Sequence, residues 1–366
     1  MSAEESWHRL ISGAATGPGA ALARGGLTLL SGPYRCGLQA NLALYERGLK
    51  ARSRAVLPVV SVGNLTLGGT GKSTAVRYLA RQLQARGLRP GIVLRGHRRT
   101  AGEAVQLASD GHGHVAPLAE TGDEAAEVAR VLPHVPVAVG RRREQAVALL
   151  QDAGAQVALL DDGFQYFRME RDLDIVLISA RMDMAAARVF PRGLLREPWS
   201  HLARADQIWI THADQASDSG LDEMRGLIAR WAPGKSVIVA RHAAVGLTDL
   251  HGEPLALERL TGRSVLAVSG LGCPESFEHT LNSLGARVAP LRYGDHHRYG
   301  PDDWGEIKAA AARQGAEAVV TTDKDAVKLP ADPPLPVWVL RSEMSIVAGE
   351  EALAAALDDI ARGIAE

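Results

Sequence analysis

Cysteine is nearly absent from this chain: Cys36 and Cys273 are the two in 366 residues. They have neither metal-ligand spacing nor a pairing framework, which excludes a disulfide scaffold and points to a reducing compartment. Charge of one sign is also lacking, because the formal net charge is −1. That gives no general attraction to nucleic acid, so any anionic ligand has to be held by local basic clusters. The first residues, Met1-Ser2-Ala3-Glu4-Glu5, lack the basic start and apolar core of a secretory signal. No uninterrupted apolar run approaches the roughly 18 residues of a spanning helix. Short-period repeats and low-complexity segments are missing too.

What the chain does have is length and apolar content. With 366 residues, 46% hydrophobic and 23% charged, it can build about two cores. One stretch organises the rest: Thr66-Leu67-Gly68-Gly69-Thr70-Gly71-Lys72-Ser73. The apolar run at 55–62 reads as a buried strand before it, and Val76, Leu79, Ala80 and Leu83 fall at helical spacing after it. A glycine-rich turn between strand and helix points successive N–H groups at phosphate oxygens. Lys72 then reaches the terminal phosphates, and the Ser73 hydroxyl can ligate Mg²⁺. Thr66 stands where the P-loop pattern G-x-x-x-x-G-K-[ST] has its first glycine, and Gly63 lies outside the pattern.

Strand and helix signals alternate from there on. Strands are expected at 91–95, 135–139, 157–161, 173–178 and 207–210, with helices at 122–132, 142–152 and 199–205. Such alternation predicts a P-loop NTPase-like α/β fold, a parallel sheet with helices on both faces. Ligands of such sheets sit at the carboxyl ends of the strands. A polar stretch at 211–225 predicts a boundary. Beyond it, strands at 236–241, 264–269, 286–291, 317–321 and 336–340, with helices at 274–284, 303–314 and 350–363, predict a second, smaller α/β domain. The expected division is therefore 1–54, 55–212 and 213–366. Residues 8–50 carry Arg9, Arg24, Arg35, Arg47 and Lys50 among apolar positions at helical spacing. A basic amphipathic segment of this kind lies in a membrane interface or packs on its own domain, and spacing alone leaves both open.

Four further stretches carry chemistry. Val157–Asp162 is an apolar strand ending in two carboxylates, Asp161 and Asp162, the form of a Walker B element that offers Mg²⁺ its oxygen. Thr121-Gly122-Asp123-Glu124 opens a helix; Thr121 and Glu124 have capping-box spacing, which leaves Asp123 able to accept a proton. Arg141, Arg142, Arg143, Arg168, Arg171, Arg192 and Arg196 lie near expected strand ends and as a group favour an anionic acceptor. In Asp295-His296-His297-Arg298-Tyr299 the adjacent histidines point different ways, which argues against chelation by the pair. That stretch reads as a surface loop or as a carboxylate–imidazole partner.

Taken together, these residues resemble the tetraacyldisaccharide 4′-kinase family, the lipid A kinases. The resemblance runs from about residue 55 to 330. It is carried by Ser61–Thr66, Gly122-Asp123-Glu124, Gly140-Arg141-Arg142, Asp161-Asp162-Gly163-Phe164-Gln165, Arg171–Asp174, Pro191–Pro198, Asp295-His296-His297 and Lys324–Leu329. Departures fall at His97, where the family usually has tyrosine, and at Ala125, where it usually has proline. The resemblance implies ATP and Mg²⁺ as cofactors, a lipid disaccharide acceptor, and an N-terminal helix in the cytoplasmic leaflet of the inner membrane. It also implies Asp123 as base, assisted by His296. With that pattern in place, Lys72 joins Asp123 and His296 as catalytic, and Thr66 through Ser73 hold the nucleotide. Ser73, Asp161, Asp162 and Glu197 are assigned to the metal; Glu124, Arg141, Gln165 and Arg196 to the acceptor. A monomer is expected.

Two other classes fit less well. A membrane-associated switch ATPase carries an extra lysine early in its loop, where Leu67 stands here. A GTPase needs an aspartate two places after the lysine of its guanine reader, and Ala326 follows Lys324-Asp325 instead.

Overall fold

Uninterrupted apolar runs, rather than alternating ones, mark strands that are covered on both faces. In the computed structural model the run at Val59–Asn64 is such a strand, buried at all six positions. The structure describes residues 3–96, 104–272, 274–294, 297–329, 333 and 335–365; His97, Asp295 and His296 lie outside the described residues. The chain divides into two compact units. One gathers Met1–Lys72, Leu159–Arg241 and Ile346–Glu366; the other gathers Ser73–Ala158 and His242–Ser345. Each is assembled from separated stretches, whereas the sequence led us to expect consecutive segments meeting at residues 54 and 212.

In the first unit Val59–Asn64 pairs in parallel with Leu173–Ser179, which pairs with Gln207–Thr211, which pairs with the start of the Ser236–Asp249 strand. The polar stretch expected to be a boundary holds a helix instead, Asp218–Trp231. Ser217 caps it by accepting from the Gly220 N–H at 3.2 Å, and Met224 and Ile228 seat it on Ile208 and Ile210. Its Ser, Asp and Gly residues are therefore a helix start and a solvent face. Trp199–Arg204, expected to be α-helical, is a 3-10 helix.

The second unit holds Ser264–Ser269 between Arg287–Arg292 and Ala318–Thr322, all parallel, with Val337–Ala348 beyond. Successive residues of Ser264–Ser269 serve opposite faces, as strand geometry requires. Val265 and Ala267 pack with Phe277 and Leu281 of the Pro274–Ser283 helix. Leu266 and Val268 pack with Trp304 and Ile307 of the Pro301–Gln314 helix. The same unit contains Pro90–Leu94 parallel to Val137–Val139, and a strand without a clear signal in the sequence, Gln106–Ser109, antiparallel to it.

The N-terminal segment forms two helices, Ala3–Ile11 and Pro18–Glu46. Along the longer one Ala20, Arg24, Leu27, Ser31, Tyr34 and Leu38 form a partly buried stripe at alternating four- and three-residue steps. Arg24 donates to the carbonyls of Ala15 at 2.8 Å and Leu10 at 3.4 Å. One of the basic residues thus serves the helix–helix turn. On another face Leu22, Leu29 and Leu30 are 80%, 78% and 59% exposed.

Candidate active site

The phosphate loop is braced by one side chain from its own strand. Asn64 Nδ2 donates to Thr70 Oγ1 at 3.0 Å and reaches Thr66 Oγ1 at 3.4 Å and the Gly68 carbonyl at 3.5 Å. Gly68 and Gly71 have φ of 109° and 81°, a backbone that L side chains rarely adopt. Thr66 is tolerated in place of glycine because it sits in a β-bridge with Leu195 rather than in a tight turn. The Thr211 hydroxyl donates to the Thr70 carbonyl at 2.9 Å. Arg181, which no sequence pattern singled out, donates to the Gly69 carbonyl at 3.3 Å. The loop ends in the helix Lys72–Ala85, with Ser73 its second residue.

Gly63 has its own reason. A Cβ there would lie 2.4 Å from Phe164 Cβ, so only glycine lets the segment after Asp162 cross the strand. At Gly163 a Cβ would meet Ser61 Oγ at 2.7 Å. Asp162 itself is in the left-handed region at φ 56°, uncommon for a residue with a side chain. Its carboxylate accepts from Arg196 Nη1 at 2.9 and 3.0 Å and lies 3.5 Å from Lys72 Nζ. Asp161, the last residue of its strand, is buried. Sequence reasoning placed Lys72, Asp162 and Arg196 in one site, and the structure brings these three together.

The segment around Arg196 frames the loop. Arg196 N donates to the Leu65 carbonyl and Leu67 N to the Leu194 carbonyl, each at 2.7 Å. Glu197, 1% exposed, has both carboxylate oxygens engaged. Gln165 donates to Oε1 at 2.9 Å, and His201 and Arg204 bond Oε2 at 2.6 and 2.5 Å. Burial pushes the Glu197 carboxyl upward, but the His201 hydrogen bond and the Arg204 charge outweigh it and hold the group below its ordinary value. Gln165 also donates to the Asn64 carbonyl at 2.9 Å. Arg204 stacks over Phe164 and Phe167 at 4.2 and 4.8 Å. His201 and Arg204, absent from the sequence reading, stand one and two turns after Glu197, which is the signal that could have found them.

Asp123, Glu124 and Arg141 belong to the second unit. The helix Asp123–Val131 is capped by Gly122 at φ 89°, with no side-chain cap bond. The expected Thr121–Glu124 capping box does not form, because Thr121 ends a preceding turn and its hydroxyl donates to the Pro117 carbonyl at 3.2 Å. Asp123 is the first helical residue, and Lys328 Nζ lies 3.7 Å from its Oδ2. One turn on, Glu127 is buried against Arg77 at 2.6 Å; burial raises its carboxyl above the ordinary value despite that charge. Arg141 is exposed, whereas Arg143 is buried and donates to the Val93 carbonyl at 3.3 Å. Of the other arginines expected to favour an anion, Arg171 is spent on Asp174 at 2.8 Å and Arg192 on the Ile11 carbonyl at 3.3 Å.

A family model described as tetraacyldisaccharide-1-P 4′-kinase (LpxK) matches residues 24–362. Among curated proteins, a tetraacyldisaccharide 4′-kinase of Anaeromyxobacter dehalogenans (strain 2CP-C) is 43% identical over 350 residues, covering 93% of this chain and 92% of that protein. One from Geobacter sulfurreducens is 35% identical over 349 residues, covering 94% and 96%. A crystal structure of LpxK from Aquifex aeolicus in complex with ATP superposes with a TM-score of 0.75 at 29% identity, covering 92% of this chain and 99% of that one.

Proposed function

From the premise that this chain belongs to the tetraacyldisaccharide 4′-kinase family, we propose that Lys72, Asp162 and Arg196 form the centre handling the phosphates as the γ-phosphate of ATP passes to the 4′-hydroxyl of a tetraacylated disaccharide 1-phosphate. The observation that carries this assignment is the Asp162 carboxylate held by both cations at the end of a strand. Phosphoryl transfer asks for positioning and charge neutralisation more than for covalent chemistry. The Thr66–Lys72 loop supplies backbone donors, and Lys72 and Arg196 supply charge.

Ser73, Asp161 and Asp162 are oxygen donors of the kind Mg²⁺ takes, one or two carboxylates beside phosphate oxygens and water. They would hold the ion, which when bound neutralises charge on the phosphates. Glu197 is set back from that role, because Gln165, His201 and Arg204 close it off at 1% exposure, whereas the Asp162 side chain is 22% exposed. It organises the segment instead, and Gln165 and Arg196 are assigned to the acceptor. Asp123 is the base that takes the proton of the 4′-hydroxyl, and Glu124 and Arg141 serve the acceptor. The chain acts as a monomer, with residues 1–54 in the cytoplasmic leaflet of the inner membrane. The exposed Leu22, Leu29 and Leu30 support that placement. No helix among the described residues is long and apolar enough to cross a membrane. A switch ATPase is not favoured, since Leu67 occupies the place of its extra lysine.

The test is direct. Purified protein is incubated with γ-labelled ATP, Mg²⁺ and tetraacyldisaccharide 1-phosphate in detergent, and label is sought in the lipid. Label on the 4′-oxygen is the expected result, and ATP binding without lipid labelling overturns the assignment.

A further inference from the structure

The stretch Thr322-Asp323-Lys324-Asp325-Ala326-Val327-Lys328 folds as a single capped turn. Thr322 accepts from the Asp325 N–H at 3.3 Å and starts the helix Asp323–Ala326. Asp325 is wholly buried, and a carboxylate in that position has to be paired. Its Oδ2 accepts from the Gly270 N–H at 2.9 Å and from Thr322 Oγ1 at 3.1 Å, and its Oδ1 accepts from Lys328 Nζ at 2.9 Å. Lys328, three residues on, is itself only 4% exposed in its side chain. The ammonium therefore stands between two carboxylates, in hydrogen-bond contact with Asp325 and 3.7 Å from Asp123 Oδ2. The second distance is a charge contact rather than a hydrogen bond.

We propose that Lys328, anchored by Asp325, is a positioning residue that fixes the Asp123 carboxylate and keeps it charged, so that it is ready to take the proton of the acceptor hydroxyl. This rests on Asp123 being the base. Asp325 has backbone and hydroxyl donors as well as the ammonium. Asp123, 15% exposed, lies at the mouth of its helix, where both the helix dipole and Lys328 favour the charged form.

Other charged groups of the same unit, among the described residues, are placed as follows. Glu124 and Glu127 share the helix of Asp123, and Glu127 is neutralised by Arg77. Asp323 lies 3.7 Å from Arg341, and burial raises its carboxyl. Lys324 is on the same turn as Asp325. Tyr299 stays a neutral phenol, pushed up by burial and by the Asp325 charge. His297 pairs with Asp303 at 3.0 Å.

The experiment measures kcat/KM for the lipid acceptor against pH in full-length Lys328→Met, Lys328→Arg and Asp325→Asn, each checked for folding by thermal melt. Removing the ammonium takes a positive charge away from beside Asp123, so in Lys328→Met the acid limb should move up by about one pH unit or more. At neutral pH the rate should fall about 10- to 100-fold and recover as pH rises, with KM for ATP unchanged. Lys328→Arg should keep the limb near its wild-type position. Asp325→Asn removes the competing carboxylate, so its limb should move down. Displacements of opposite sign are something a merely structural role does not produce. A limb that stays in place in folded Lys328→Met, or that moves the same way in both variants, overturns the proposal. If Lys328→Met does not fold, Asp325→Asn decides, and a limb that stays or rises overturns it. Asp123→Asn separates the premise: if it keeps wild-type turnover, the base assignment has failed rather than the role of Lys328.

Discussion

A sugar hydroxyl attacks poorly while it keeps its proton, so substituting Asp123 tests the base assignment. Asp123→Ala should lower kcat by about 10²- to 10⁴-fold, the range for losing a general base. Nucleotide affinity, measured by calorimetry, should change little. Glu197 tests a different property. Its carboxyl is held below the ordinary value of 4.5 by His201 and Arg204 against the cost of burial, so its stabilising contribution is complete above that value. The contribution is lost as pH falls through the depressed one. Glu197→Gln should therefore lower Tm clearly at pH 7 and by less near pH 3, as read by circular dichroism melts at the two pH values. How such residues stood in the sequence differs case by case. The first-turn place of Asp123 was legible, but its supposed capping neighbours were not, because a Gly122 in the left-handed region does the capping. That Glu197 is a carboxylate was plain. That both its oxygens are taken depends on Gln165, 32 residues away in the chain, and no local pattern encodes that.

At the scale of elements, the strand before the P-loop shows what spacing conveys and what it omits. Its apolar run announced a buried strand, and Val59–Asn64 is one. The need for Gly63 within it was invisible, since the residue that would collide, Phe164, arrives from a separate part of the chain. Gly63→Ala should lower stability by about 1–3 kcal/mol or more, as overpacked cores do, because the added methyl meets a Cβ whose own side chain is fully buried. Chemical denaturation measures this; an unchanged midpoint would contradict the close crossing. Long periodic elements such as Val157–Asp161 and Ser264–Ser269 were fully legible. Gln106–Ser109 was not, because it is four residues long and half covered. Asp218–Trp231 was misread for the opposite reason: the Ser-Asp-Ser-Gly that begins it resembles a linker until Ser217 is seen to cap a helix.

For the whole molecule the question is how it meets its lipid. Three exposed leucines on one helix give a surface that a bilayer interface would cover, each contributing roughly 1.5–3 kcal/mol when fully buried. Changing Leu22, Leu29 and Leu30 together to glutamate should weaken binding to anionic vesicles about 1000-fold or more, with detergent activity retained; sedimentation with liposomes measures it. Deleting residues 1–45 is a less clean test, for a reason built into the first unit. Trp7 donates to the Pro191 carbonyl at 2.9 Å, Ser31 to that of Val189 and Tyr34 to that of Arg196, each at 3.0 Å. The segment they grip is the one that bonds Leu65 and Leu67 of the phosphate loop. If these helices seat the chain on a membrane as proposed, that contact and the nucleotide cradle share a strut and are thermodynamically linked. In the placement proposed above, whatever factor a membrane surface imposes on ATP affinity through that strut, ATP must impose on membrane affinity in return, so partition between bilayer and cytosol would be a readout of nucleotide state.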